Sequence, residues 1–181
     1  MHPYTTAVFD RLSAARADLR AAVEAVPPPV RAHKPAPDRW SVNEVLEHLS
    51  LVETIFTQRI AAAIDKARQE GLAPEQASER AALPASIETV VADRSNPRTA
   101  PEAARPQGNL DAAAAWQRVE QARAVLRDTI AAADGLALST VIESHPFFGA
   151  LTVYQFAELI AAHEGRHTAQ VKEIAAKLAA A

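Results

Sequence analysis

A chain of 181 residues with a net charge of −3 and a pI near 6.1 has no broad positive field for nucleic acid, and it is long enough for one domain, residues 1–181, with a substantial core. Cysteine is absent, which excludes disulfides, thiolate-held zinc and a protein thiol nucleophile, so any metal must be held by histidines and carboxylates. Hydrophobic residues make up 49% of the chain with only 5% aromatics and five glycines, a balance that predicts an all-α fold, and no run approaches the ~18 apolar residues of a membrane span, so we expect a cytoplasmic protein.

The first helix is predicted over Pro3 to about Val26, where Val8, Leu12, Ala15, Leu19, Ala22 and Val26 recur at steps of four and three. Pro27-Pro28-Pro29 ends it, and Val30 to Arg39 cannot continue a helix because Pro35 and Pro37 lack an amide donor. Ser41-Val42-Asn43-Glu44 has the spacing of a capping box and opens a second helix, with Val45, Leu49, Val52, Phe56 and Ala63 on its seam and Gly71 as its stop. Gly71 to Gly108 holds Pro74, Pro84, Pro97, Pro101 and Pro106 and is too long for a turn between antiparallel neighbours. It reads as a crossover, with a short helical piece expected around Glu75 to Ala82 and an irregular path from Ser86 to Pro106. Asn109 is the expected cap of a third helix, which turns Ala115, Val119, Ala122, Leu126 and Ala133 inward and stops at Asp134-Gly135. A second connection, Leu136 to Gly149, leads to another capping-box pattern, Thr152-Val153-Tyr154-Gln155, and to a fourth helix running toward Ala180. Four long helices and one long crossover predict a four-helix bundle, in which metal sites form between facing helices.

On the fourth helix Phe156, Ile160, His163, His167, Gln170 and Ile174 form the seam, so His163 and His167 stand one turn apart on the core face, roughly 6 Å between Cα atoms. Imidazoles so placed either hold one divalent ion or pack as hydrogen-bonded core side chains, and the pairing favours the ion. On the second helix His48 follows Val45 by three residues and precedes Val52 by four, which turns it to the same side and makes it the candidate third ligand. Three protein ligands leave positions open to water or substrate, as catalytic sites do. Around them, Glu164 lies ~100° round the helix from His163 and is expected in solvent. Gln170 either orients a ligand ring or packs on the seam. Gly165 costs about 1 kcal/mol relative to Ala, which close helix approach near a metal or simple drift would explain. Trp40 and Tyr154 either wall a pocket or seal the core, His145 either lines it or makes a loop contact, and His2 and His33 are expected in solvent.

Trp40-Ser41-x-x-Glu44-x3-His48, then His145-Pro146-Phe147-Phe148-Gly149-x-Leu151-Thr152, then His163-x3-His167-x2-Gln170 together resemble the DinB-like family of bacterial metalloproteins over nearly the whole chain. The resemblance implies an up-down-down-up bundle with a divalent metal, zinc or nickel, on His48, His163 and His167. Some members of the family resemble transferases or isomerases that use a low-molecular-weight thiol, and others are described as hydrolases. The expectation is therefore a metal-dependent transferase or hydrolase that activates a water or small-molecule thiol against a small-molecule substrate, with a homodimer as a compatible assembly. The alternative is a non-catalytic metal-binding or interaction bundle. His163-Glu164-x-x-His167 also meets the His-Glu-x-x-His pattern of zinc proteases. That reading ranks last, because the residues after His167 supply no histidine and only Glu173, and a helical layout has no strand to align a peptide.

Overall fold

The apolar periodicities resolve into long helices in a computed structural model, which describes residues 1–77, 81–95 and 99–180. In chain order these are α1 (Pro3–Glu24), α2 (Val42–Gln69), a short α3 (Ala85–Ala92), α4 (Ala112–Ala131) and α5 (Val153–Ala179), with a hairpin of β1 (Ile142–His145) and β2 (Gly149–Thr152) leading into α5. Both capping boxes form: Glu44 accepts from the Ser41 amide at 2.8 Å while Ser41 Oγ accepts from Glu44 N at 3.2 Å, and Thr152 pairs with Gln155 in the same way. The cap of α4 is Asp111 rather than Asn109, since the Asp111 carboxylate accepts from Ala114 N at 2.8 Å whereas the Asn109 amide turns to Gln107.

Contacts across the bundle give each helix its direction. Tyr4 meets Tyr154 and Arg16 meets Glu164, so α1 and α5 run parallel; Glu53 meets Arg123 and Arg68 reaches the Ala132 carbonyl, so α2 and α4 run parallel. Phe56 lies against Phe156 while His48 lies against His167, which makes α2 and α5 antiparallel. The order is up-down-down-up, and two parallel neighbours such as α2 and α4 cannot be joined by a tight turn, which is why the crossover exists.

The crossover differs in detail from the sequence expectation. Residues 75–77 and 81–82 are not helical, residues 78–80 lie outside the described residues, and the helical piece sits later, at α3, inside the stretch expected to be irregular. Pro84 immediately precedes it, a position where a missing amide proton costs nothing, and Ile87 and Val91, one turn apart, pack it onto the cluster that includes α5. A turn of 3-10 helix, Glu102–Ala104, lies further along, against α2.

The hairpin is the second departure. Ile142 pairs with Thr152 and His145 with Gly149, and Gly149 has φ +72°, the left-handed residue that closes a short hairpin loop. Arg59 on α2 braces it through Glu143 at 3.0 Å.

The interior is in two parts. One apolar cluster, including Val8, Leu12, Ile60, Leu126, Tyr154 and Phe156, fills the end near the hairpin. The other, including Leu19, Val45, Leu46, Val119, Val171 and Ile174, fills the opposite end. Between them lie four buried charges, Arg16, Glu53, Arg123 and Glu164, one from each long helix. The buried stripe of α2 is accordingly Leu46, Leu49, Glu53, Thr57, Ile60 and Ile64, whereas Val52, Phe56 and Ala63 are only half-buried. Among the described residues no helix is long and apolar enough to cross a membrane.

Candidate metal centre

His48 on α2 and His163 and His167 on α5 meet where the two antiparallel helices face each other. Each offers one ring nitrogen to a group whose members lie within 4.8 Å of one another. His48 and His167 are buried and His163 is half-buried. Their rings touch, with centroid separations of 4.8 Å for His48 and His167 and 5.4 Å for His48 and His163.

The far side of two rings is fixed by hydrogen bonds. His48 Nδ1 donates to the Ala104 carbonyl at 2.7 Å, and His167 Nδ1 donates to Gln170 Oε1 at 2.8 Å. Both acceptors lack a proton to give, so the Nδ1–H tautomer is set and the Nε2 lone pair is left to face the centre. His167 Nε2 and His163 Nε2 are 3.1 Å apart. Two nitrogens each 2.0–2.1 Å from a tetrahedral ion would be about 3.3 Å apart, so the His163–His167 pair already has the spacing that a divalent transition metal requires. Trp40 lies over two of the rings, 4.8 Å from His48 and 6.4 Å from His167, and so walls the centre.

The electrostatics favour neutral imidazoles. Burial pushes the His163 pKa down to about 3, assisted by the positive potentials of His48, Arg166 and His145. Burial, with His163 and His48, holds His167 well below its ordinary value despite the bond to Gln170. Burial lowers His48 as well, against the opposing effect of the Ala104 carbonyl. A neutral ring is the form that binds a metal, so these shifts leave lone pairs available across the ordinary pH range.

Several residues behave otherwise than expected. Glu164 is buried rather than solvated: Arg16 Nε donates to Oε1 at 2.5 Å and Arg123 Nη2 to Oε2 at 2.6 Å. Both its oxygens are committed to guanidinium groups, so it does not serve as the base of a His-Glu-x-x-His site. A Cβ on Gly165 would meet nothing within 4 Å, so close helix approach does not explain that glycine. Tyr154 is fully buried in the cluster near the hairpin and seals the core instead of walling the centre. His145 is buried too, its Nδ1 accepting from the amides of Phe147 and Phe148 at 3.1 and 3.3 Å, and its ring packs on Phe56 and Phe156. His33 is exposed, and His2 caps α1 by accepting from Tyr4 N at 3.3 Å.

The Ala104 carbonyl is the contributor that sequence reading misses, and no signal could have found it, because any residue carries the same acceptor. Glu47 is another: beside His48 and buried, it accepts from Gly108 N at 3.0 Å and ties the end of the crossover to α2. Its place next to a ligand candidate was the available clue.

Comparison with known proteins agrees with the fold. The uncharacterized protein YuaE of Bacillus subtilis (strain 168) is 30% identical over 146 residues, which is 80% of this chain and 83% of that protein. The crystal structure of TT2238, a four-helix bundle protein, superposes with a TM-score of 0.60 over 93% of this chain and 98% of its own, at 20% identity, and so shares the fold. The family model of the DinB superfamily matches residues 11–171, which include all three histidines of the centre, and the chain belongs to that superfamily.

Proposed function

We propose that the protein is a divalent-metal enzyme in which His48, His163 and His167 hold the ion, zinc or nickel, and that it acts on a small-molecule substrate as a transferase or hydrolase. The observation that carries this is the convergence of one ring nitrogen from each of the three histidines, with the rings of His48 and His167 fixed from behind by Ala104 and Gln170. A bound ion supplies Lewis acidity, lowering the pKa of a coordinated water or thiol. The chain's own residues then do the rest: they present three neutral donors, exclude solvent on the Trp40 side and leave coordination positions open.

Among the described residues no carboxylate joins the three-histidine group, and Glu164 is tied to arginines. A nucleophile that loses its proton on binding the ion needs no protein base, which favours a low-molecular-weight thiol as the co-substrate. The same observation supports the second reading, a non-catalytic metal-binding bundle.

Elemental mass spectrometry on protein purified without added metal, beside His163→Ala, is the deciding experiment. Near one equivalent of metal in the wild type and its loss in the variant is the expected result, followed by loss of thiol-transfer or hydrolytic turnover in a folded His48→Ala variant. A wild type that neither retains nor takes up zinc or nickel rejects the metal reading, and metal retained with turnover intact in His48→Ala rejects the catalytic one.

A further inference from the structure

The four buried charges at the middle of the bundle are distributed in a particular way. The carboxylates, Glu53 and Glu164, are on α2 and α5, the helices that carry the histidines; the guanidiniums, Arg16 and Arg123, are on α1 and α4, which carry none. Glu164 directly follows His163, and Glu53 lies five residues beyond His48. Arg123 Nε donates to Glu53 Oε1 at 2.5 Å, Arg16 Nη2 donates to Glu53 Oε2 at 3.2 Å, and the two arginines grip opposite oxygens of Glu164. Each arginine is also fixed to the backbone of the other's helix, Arg16 to the Val119 carbonyl at 2.9 Å and Arg123 to the Leu12 carbonyl at 2.6 Å.

Burial works against the Arg123 charge, and the Glu164 and Glu53 carboxylates more than offset it. Even so, ion pairs of this kind contribute little net stability compared with apolar side chains of the same volume. What they restrict is geometry. Side chains reach roughly 5–6 Å from a helix axis, so turning α5 by about 20° would move the Glu164 carboxylate and the two imidazoles by roughly 2 Å. An apolar layer tolerates part of such a turn by repacking, but a carboxylate held on both oxygens does not, and metal–ligand distances tolerate only about 0.2 Å.

We propose that Arg16, Glu53, Arg123 and Glu164 are positioning residues for the histidine centre, fixing the rotation and axial register of α2 and α5 that bring the three imidazoles together. This inference rests on the metal reading above.

The test is the double variant Arg123→Met/Glu164→Met, which removes one charge of each sign and leaves Arg16 opposite Glu53. It is expected to melt cooperatively, with a midpoint near or above that of the wild type. Its zinc affinity, measured by competition with a chromophoric chelator, should fall at least 10-fold, and its cobalt(II) visible spectrum should differ from that of the wild type. Glu164→Asp, which keeps the charge but shortens the arm, is the second variant and should weaken zinc binding in the same direction. Leu126→Ala, a cavity variant in the cluster near the hairpin, is the stability control and should keep wild-type zinc affinity.

Zinc affinity within about twofold of the wild type and an unchanged cobalt spectrum in the double variant overturn the proposal. So does an equal loss of affinity in Leu126→Ala, which would make the effect general loosening. A wild type that binds no zinc rejects the metal reading instead; the positioning role is then read from the histidine ring ¹⁵N signals of metal-free wild type and double variant, where changed signals sustain it and identical ones reject it.

Discussion

Two imidazoles of the centre, His48 and His167, are directed by the groups behind them. Gln170 Oε1 holds His167 at 2.8 Å, and removing that acceptor frees the ring to turn. Gln170→Ala is therefore expected to weaken zinc binding about 10-fold in a chelator competition; an affinity within twofold of the wild type would show that packing under Trp40 is enough. Protons act through the same rings. Well above pH 6.5 they are neutral in both folded and unfolded chains and add no pH dependence, but as pH falls through 6.5 toward about 3 the unfolded chain takes up protons that folded His163 refuses. The metal-free protein should thus lose stability across that window, with a lower urea midpoint at about pH 5.5 than at about pH 7.5, and His163→Ala should flatten the difference. A wild-type slope no steeper than that of His163→Ala would contradict the depressed pKa. The histidines were legible because helical spacing dictates which side chains share a face. Glu164 was misread because its angle from His163 gives a direction but not what waits there. Arg16, Glu53, Arg123 and Glu164 each sit four residues beyond a buried apolar residue, Leu12, Leu49, Val119 and Ile160, so a charge on an apolar stripe was the available sign of a buried network.

The four long helices followed from capping boxes and periodicity, both local properties, and their ends fell close to expectation. The connections obey tertiary contacts instead. α3 forms where Ile87 and Val91 find an apolar surface to cover, and the hairpin forms where Arg59 and the ring of His145 can hold two four-residue strands against α2. The cue missed for the hairpin was Gly149 closing a short run between two segments containing β-branched residues. Its φ of +72° predicts that Gly149→Ala costs about 1–2 kcal/mol in urea unfolding, a backbone effect alone, since a Cβ there would meet nothing within 4 Å. A cost under about 0.3 kcal/mol would mean that the turn relaxes into another conformation.

At the scale of the whole molecule, α1 and α4 touch little and leave between them an open groove of about 410 Å³ lined in part by Arg16 and Arg123. Arg16 and Arg123 bridge the two helices there, each reaching a backbone carbonyl of the other's helix. An ion between His48 and the α5 pair would tie α2 to α5 on the opposite side of the bundle. Binding to the folded chain alone then raises stability by mass action, about 2.7 kcal/mol at a free zinc concentration one hundred times Kd. The thermal midpoint should climb with zinc concentration in the wild type and stay level in His163→Ala. A wild-type midpoint indifferent to zinc would remove the linkage. The up-down-down-up order was legible only through resemblance, because periodicity specifies faces but not which helices become neighbours.

The distance along the chain between His48 and His163 has a consequence for how such a protein is made. His48 leaves the peptidyl-transferase centre 115 residues before His163. At roughly 5–20 residues per second that is a wait of about 6–23 s. Through that interval the nascent chain has only one of the three histidines, so an ion held by all three would be captured by the finished bundle and would not serve as a nucleus for its earlier helices.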